Sequence, residues 1–386
     1  MWSRRIASAT EGAVLAATLC TMAAVGVLAA TVGVPAPAAR AGGPGVPLIG
    51  DLDADGRADR AWLVTLSTSR CAIRLERGDG QGGYLAPVLR AYRPPVGAGC
   101  PDLGVAVDLG GDGRTELVLG RFAGTPGGAQ PDLVVLRDFQ ISAGYRALRR
   151  PNVIGLADFN GDGRLDVYTW TDQGEGFASY LNTALGTLVP GPVRYCSGPS
   201  QYELVDVNGN GATDVVTAYL DGCAGFARGV AVVLDDGRRV DLVGESAGRH
   251  GWTVHVLDAN QDGNADVTAY RQPAGEMTTY LGRGDGSFVR SPLAVPDVAT
   301  VGTTPIQIPV TANDYASTRA RISLVTPPVA GTAQIVGPSV RYVPAESYLG
   351  TDRFVYRLTQ DGRSSTAEVR LMVVGASPAD AAHRVG

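Results

Sequence analysis

Five nine-residue stretches concentrate the oxygen-bearing side chains of this chain. They are Asp51 to Asp59 (DLDADGRAD), Asp108 to Glu116 (DLGGDGRTE), Asp158 to Asp166 (DFNGDGRLD), Asp206 to Asp214 (DVNGNGATD) and Asp258 to Asp266 (DANQDGNAD). The shared pattern is D-x-[D/N/G]-x-[D/N]-G-x-x-[D/E]. Side-chain oxygens at positions 1, 3, 5 and 9, with a backbone carbonyl at position 7, form the donor set of a hard cation such as Ca2+, which takes about six to eight oxygens. The glycine at position 6 (Gly56, Gly113, Gly163, Gly211, Gly263) permits the positive φ that a tight turn around an ion requires. An EF-hand opens in the same way, but its bidentate Glu stands at position 12. This chain has Trp62, Leu119, Thr169, Thr217 and Ala269 there, and keeps its acid at position 9.

The five donor sets differ. Asp51, Asp53, Asp55 and Asp59 supply four carboxylates. Asp158, Asn160, Asp162 and Asp166, and likewise Asp258, Asn260, Asp262 and Asp266, supply three and an amide oxygen. In the second loop Gly110 removes one ligand, leaving Asp108, Asp112 and Glu116. The fourth has only Asp206 and Asp214 as carboxylates, with Asn208 and Asn210. The first loop is therefore expected to hold calcium most tightly and the fourth most weakly. Asp, Asn and Gly also make ordinary turns. Five copies that keep an acid at positions 1 and 9 favour the metal over that reading. The role expected of the ion is structural, because clustered carboxylates repel one another without it and binding is then coupled to folding.

The elements that position these loops recur with them. The first Asp returns at steps of 57, 50, 48 and 52 residues. A short apolar run leads into each loop, as in Val153-Ile154-Gly155-Leu156, and another leaves it, as in Val167 to Trp170. A third follows, as in Phe177 to Leu181, and a turn with a weaker fourth run closes the unit. The runs are short, rich in β-branched and aromatic residues, and bounded by Gly, Asp and Asn, which predicts strands. No stretch after residue 40 sustains an apolar helical period. Four antiparallel strands per unit describe a propeller blade. The expected fold is all-β: a β-propeller of about five four-stranded blades over residues 46–295, followed by a small Ig-like β-sandwich over 301–374. A closed ring is the expected arrangement, with an open or partner-completed one as the alternative.

The five repeats resemble the FG-GAP/VCBS family, the calcium-loop propeller units of integrin α-subunit heads and of many secreted bacterial proteins. The resemblance implies a calcium ion in the hairpin between the first two strands of each blade. Residues Pro292 to Thr300 read as a linker. After it come short strands over Ile306–Val310, Ile322–Val325, Thr332–Val336, Val340–Val343, Arg353–Leu358 and Thr366–Val373. The motifs Val310-Thr311-Ala312-Asn313-Asp314 and Gly350-Thr351-Asp352-Arg353-Phe354-Val355-Tyr356 resemble the cadherin-like, tandem-95 domains of bacterial surface proteins. Such domains usually carry an acidic loop after the Asn-Asp pair. This chain has Tyr315 to Arg321 there instead, which counts against a calcium site in the sandwich. Residues 375–386 read as a disordered tail.

Arg4 and Arg5 precede an uncharged apolar run from Gly12 to Val34, and small-residue cleavage sites follow at Ala36-Pro37-Ala38 and Ala39-Arg40-Ala41. Residues 1–41 thus read as an export signal. The run is also long enough to span a bilayer, so an uncleaved N-terminal anchor is the alternative and the one expected membrane contact. Four cysteines remain beyond it, and Cys71–Cys100 with Cys196–Cys223 is the favoured pairing because the two pairs occupy related repeat positions. Sequence alone leaves the connectivity open. A net charge of -5 argues against nucleic acid as a partner, and all 33 basic residues are Arg. No H-E-x-x-H or Cys/His nucleophile pair is present.

The expected function is therefore an exported, non-enzymatic calcium-binding scaffold for adhesion or recognition, secreted or at the cell surface, with an extracellular protein or glycan as partner. A carbohydrate-binding lectin using Trp170, Trp252 or Tyr270 is the alternative, with a propeller-based hydrolase or lyase behind it. Two Arg-Gly-Asp tripeptides, Arg77 to Asp79 and Arg283 to Asp285, fall where a turn is expected to use Gly and Asp.

Overall fold

The computed structural model describes residues 45–121, 132–147, 151–171, 176–195, 199–220, 228–245, 251–273 and 276–375. The expected export signal, Cys196, Cys223 and the tail from residue 376 lie outside them. The described residues form strands, turns and no helix.

The strands of the first sheet are β1 (Leu48–Gly50), β2 (Asp59–Ser67), β3 (Arg70–Glu76) and β4 (Val88–Tyr92). The second holds β5 (Leu103–Val107), β6 (Glu116–Gly120), β7 (Leu133–Arg137) and β8 (Gln140–Tyr145). The third holds β9 (Val153–Ala157), β10 (Asp166–Thr171), β11 (Gly176–Asn182) and β12 (Leu188–Tyr195). The fourth holds β13 (Pro199–Val205), β14 (Asp214–Leu220), β15 (Arg228–Val233) and β16 (Arg239–Glu245). The fifth holds β17 (Gly251–Leu257), β18 (Asp266–Gln272), β19 (Glu276–Gly282) and β20 (Phe288–Arg290). Each sheet is an antiparallel meander in chain order, the strand plan of a propeller blade.

The first hairpin has one register throughout. The closing pairs are Gly50↔Asp59, Val107↔Glu116, Ala157↔Asp166, Val205↔Asp214 and Leu257↔Asp266. In every sheet the position-9 acid is thus the first residue of the second strand.

Burial explains why the inner strands read as unbroken apolar runs. All five residues of β6 are buried, because both faces of its sheet are covered. Leu117 and Leu119 pack towards the first sheet, and Val118 packs towards the third. Hydrophobic clusters join the first sheet to the second, the second to the third, the third to the fourth and the fourth to the fifth. Among the described residues no such cluster joins the fifth sheet to the first. Backbone contacts add to the seams: Thr115 N donates to Asp51 O (3.2 Å), and Thr213 N to Asp158 O (2.7 Å). A disulfide joins Cys71 on β3 to Cys100 ahead of β5.

The sandwich comprises β21 (Asp297–Val301), β22 (Ile306–Ile308), β23 (Arg321–Thr326), β24 (Gly331–Val336), β25 (Ser339–Pro344), β26 (Gly350–Gln360) and β27 (Arg363–Val373). One sheet runs β21-β27-β26-β23 and the other β22-β25-β24. Ala367, Val369, Leu371 and Val373 alternate inward along β27, against Tyr342, Phe354 and Tyr356. The linker expected over 292–300 is corrected here. Asp297–Val301 is a strand that pairs parallel with β27, and Leu293 forms a two-way backbone bridge with Tyr315. A five-residue strand whose partner lies some seventy residues further on shows no local hairpin signal.

The sandwich packs on the fifth sheet. Thr279 Oγ1 donates to Tyr315 O (3.2 Å), and Gln360 Nε2 to Met277 O (3.4 Å). Arg319 pairs with Glu276 at 2.7 Å, and Arg271 bridges Glu276 (3.3 Å) and Glu245 (2.9 Å). Charged groups therefore run in a chain from β16 through the fifth sheet to the sandwich.

Candidate metal centre

Each loop is built around its first and last acids. The carboxylate at position 1 turns back into the loop and accepts the N–H groups of positions 5 and 6. In the first loop Asp51 accepts Asp55 N (3.1 Å) and Gly56 N (2.8 Å). Asp108, Asp158, Asp206 and Asp258 repeat both bonds. Position 5 accepts the N–H of position 7 in all five, as in Asp162 with Arg164 N (2.9 Å). The position-6 glycines have φ between 80° and 88°, the left-handed turn expected of them. These bonds orient the oxygens of positions 1 and 5 within the turn.

The position-9 acid does something the sequence did not reveal. Asp59, Glu116, Asp166, Asp214 and Asp266 are almost wholly buried, at 0–1% exposure. One oxygen of each accepts the N–H of position 2: Leu52, Leu109, Phe159, Val207 or Ala259, at 2.8–3.0 Å. In four loops the other oxygen accepts a backbone N–H from the end of the third strand: Gly78 (3.0 Å), Asn182 (2.7 Å), Asp235 (2.6 Å) and Gly282 (2.8 Å). The acid is thus a bracket that ties the loop to the far side of its own sheet. Position 2 anchors the same loop from below, since Leu52, Leu109, Phe159 and Val207 lie in the clusters between sheets. The apolar residue at position 2 of every copy was the available signal for this.

Burial raises the pKa of every one of these acids, and the backbone donors oppose the rise. Asp166 is pushed up to about 6 and Asp214 to about 7, with neighbouring loop carboxylates adding to the effect. Asp59, Asp266 and Glu116 shift the same way. A buried carboxylate beside other carboxylates gains from nearby positive charge.

The loops bring their ligands together unequally. In the first, single oxygens of Asp51, Asp53 and Asp59 lie within 4.8 Å of one another, the one such three-carboxylate group among the described residues. Asp55 instead turns towards Arg57 N (2.9 Å). In the third and fifth loops, the position-3 amides Asn160 and Asn260 donate to Asp162 and Asp262 (both 2.9 Å). In the fourth, Asn208 donates to Asp235 (2.9 Å), outside the nine-residue loop. The second is set apart: Glu116 takes Arg137 Nε (2.7 Å) where the other acids take a backbone N–H.

The first Arg-Gly-Asp tripeptide is used internally. Gly78 N caps Asp59, Arg77 lies 3.7 Å from Asp53, and Asp79 accepts the N–H groups of Gln81 and Gly83. In the second, Arg283 and Asp285 are exposed and Asp285 accepts Ser287 N. Of the aromatics considered for sugar stacking, Trp252 is buried in the core and Trp170 packs on Tyr202. Tyr270 is half-buried and meets the edge of His255, which pairs with Glu203 at 3.4 Å.

A family profile described as FG-GAP-like repeat matches residues 158–217, covering the third and fourth loops. A second, described as bacterial Ig domain, matches residues 290–374. Comparison with curated proteins finds no match. Among solved structures, the endo-fucoidan hydrolase MfFcnA4 from glycoside hydrolase family 107 aligns at 11% identity and a TM-score of 0.19, over 61% of this chain and 36% of its own length. A histidine-to-glutamine variant of that hydrolase aligns at 12% identity and a TM-score of 0.19, over 68% of this chain and 39% of its own. This chain thus spans less than half of either hydrolase, and so distant a likeness carries no argument about function. The matched profiles, the five meanders and the sandwich agree on one arrangement: the chain carries FG-GAP-like repeat structure followed by a bacterial Ig domain.

Proposed function

We propose that this chain is an exported calcium-binding scaffold for adhesion or recognition, without catalytic activity of its own. The FG-GAP-like and bacterial Ig matches support an extracellular repeat scaffold. The observation that carries the calcium reading is the first loop, where three carboxylates converge within 4.8 Å on a turn already closed by its own hydrogen bonds. Such an all-oxygen set suits a hard cation. Asp51, Asp53, Asp55 and Asp59 would hold the ion in this loop. Asp158, Asn160, Asp162 and Asp166 would do so in the third, Asp206, Asn208, Asn210 and Asp214 in the fourth, and Asp258, Asn260, Asp262 and Asp266 in the fifth. The ion supplies positive charge beside acids whose charged form burial disfavours, and so couples loop closure to calcium supply. Five rigid loops on stacked sheets then present one broad surface to an extracellular protein or glycan.

Thermal melting with calcium and with chelator tests this. Calcium at a hundredfold excess over its Kd is expected to stabilise each occupied site by about 2.7 kcal/mol. An unchanged melting temperature sinks the metal reading.

One observation favours a glycan over a protein as partner. Tyr270, His255 and Glu203 place an aromatic edge beside two polar side chains on neighbouring sheets, a combination that suits a sugar. A glycan array on wild type and Tyr270→Ala separates the two, since loss of glycan signal in the variant is expected only of the lectin.

A further inference from the structure

We propose that the second loop is a cation-independent copy, in which the guanidinium of Arg137 takes the place of the ion. This rests on the calcium reading of the other loops. Three features of the second loop carry it.

The first is the bracket. Glu116 is 1% exposed, with Leu109 N at 2.8 Å from one oxygen and Arg137 Nε at 2.7 Å from the other. In the other four loops the corresponding oxygen meets a neutral backbone N–H. Here it meets a full positive charge. The acid is Glu where the other four are Asp, so its carboxylate stands one methylene further out, within reach of a side chain.

The second is position 3. Gly110 has φ +93°, and a Cβ there would stand 3.0 Å from Gly186 N. Its N–H donates to Asn182 Oδ1 (3.2 Å), while Asn182 Nδ2 donates to Asp108 O (3.3 Å). A side chain built on Gly110 would press on backbone of the third sheet. No ligand residue can be restored at that position without moving the seam.

The third is the hairpin after β7. Arg137 pairs with Gln140, and Asp138 and Phe139 both have positive φ (49° and 62°). This two-residue turn directs Arg137 back over the loop. Arg77 holds the matching register in the first sheet, yet it lies 3.7 Å from Asp53 and leaves Asp59 to backbone donors. An arginine at this register is therefore not sufficient; the longer Glu and the missing position-3 ligand are also needed. A guanidinium fixed beside Glu116 repels a divalent ion from the site it already neutralises.

The test uses the full chain and calcium alone as probe, with stoichiometry read by titration calorimetry. Asp108→Asn is expected to leave the stoichiometry unchanged, whereas Asp158→Asn lowers it by one. A drop of one for Asp108→Asn overturns the proposal. Arg137→Met is expected to lower the melting temperature on the order of 5 °C, equally in calcium and in chelator, and Arg137→Lys to recover part of that loss. A melting temperature in chelator that ignores Arg137→Met also overturns it. Should Arg137→Met fail to fold, Arg137→Lys and the Asp108→Asn stoichiometry still decide. Should wild type bind no calcium at all, the calcium reading of the other loops fails. The Arg137 melting arm then still decides whether the guanidinium holds this loop.

Discussion

In the stacked sheets, every buried position-9 acid has a donor on each oxygen: at least two backbone N–H groups in four loops, and a backbone N–H and Arg137 in the second loop. The sandwich treats its carboxylates in two ways. Asp352 is saturated by Val329 N, Ala330 N, Arg353 N and the Tyr342 hydroxyl. At Asp297 the charge of Asp314 is felt instead, and each of the two keeps one buried oxygen with no hydrogen-bond partner. The difference shows what makes a buried carboxylate a fastener. Convergent N–H donors replace hydrogen bonds to water that it loses and join two segments, even where burial raises its pKa as far as that of Asp214. Without them a second carboxylate nearby favours the protonated form.

The largest effect is expected from breaking a bracket. Asp166→Ala orphans Phe159 N and Asn182 N together. Two stranded buried donors are expected to destabilise the chain by roughly 3–5 kcal/mol, and Asp166→Asn, which keeps one acceptor, by about half of that. Urea denaturation in chelator isolates the bracket from the metal. If Asp166→Ala then unfolds at the wild-type midpoint, position 9 is only a ligand and the comparison with Asp352 collapses.

The loops were legible in the sequence because their chemistry lies within nine residues and recurs five times. The identical hairpin register follows directly from that, since the acid at position 9 always opens β2, β6, β10, β14 or β18. The second half of the bracket was not legible. Its donor stands 16 to 21 residues beyond the acid, and in four cases it is a backbone N–H, which Gly, Asn and Asp carry alike. Arg137 is the exception that a side chain could have signalled, but one arginine among 33 basic residues does not stand out until the hairpin aims it. The favoured Cys71–Cys100 pairing was readable because repeat positions place both cysteines near one seam. The strand at Asp297–Val301 was not, because its partner β27 is distant in sequence and runs parallel to it.

A smaller effect is expected at the saturated acid of the sandwich. Tyr342→Phe removes one donor from Asp352, yet Ala330 N still meets the same oxygen and Val329 N the other. The loss is expected to be about 1–2 kcal/mol by urea denaturation, because no group is orphaned except part of one oxygen. A loss as large as that of Asp166→Ala would mean that donor redundancy does not protect a buried carboxylate.

A further effect depends on pH and concerns the unsaturated pair. Burial, and then the charge of Asp314, push Asp297 from 3.8 up to about 7, with a hydrogen bond from Asn313 opposing the rise. Asp314 is also raised by burial, although Val295 N and the Tyr356 hydroxyl donate to it. Between 3.8 and about 7 the folded chain holds a proton on Asp297 that the unfolded chain has released. Stability from this group is therefore highest below the lower value and is lost as pH rises through the upper one. Asp297→Asn removes that dependence, since a neutral amide replaces a group that must either bind a proton or carry a charge. The variant is expected to gain stability relative to wild type on going from about pH 5 to about pH 8, with the position-9 acids cancelling in the difference because both chains share them. Urea midpoints of the two proteins at both pH values measure it. A wild-type-to-variant difference that stays constant across that range would mean that Asp297 and Asp314 find donors as complete as those of the loops.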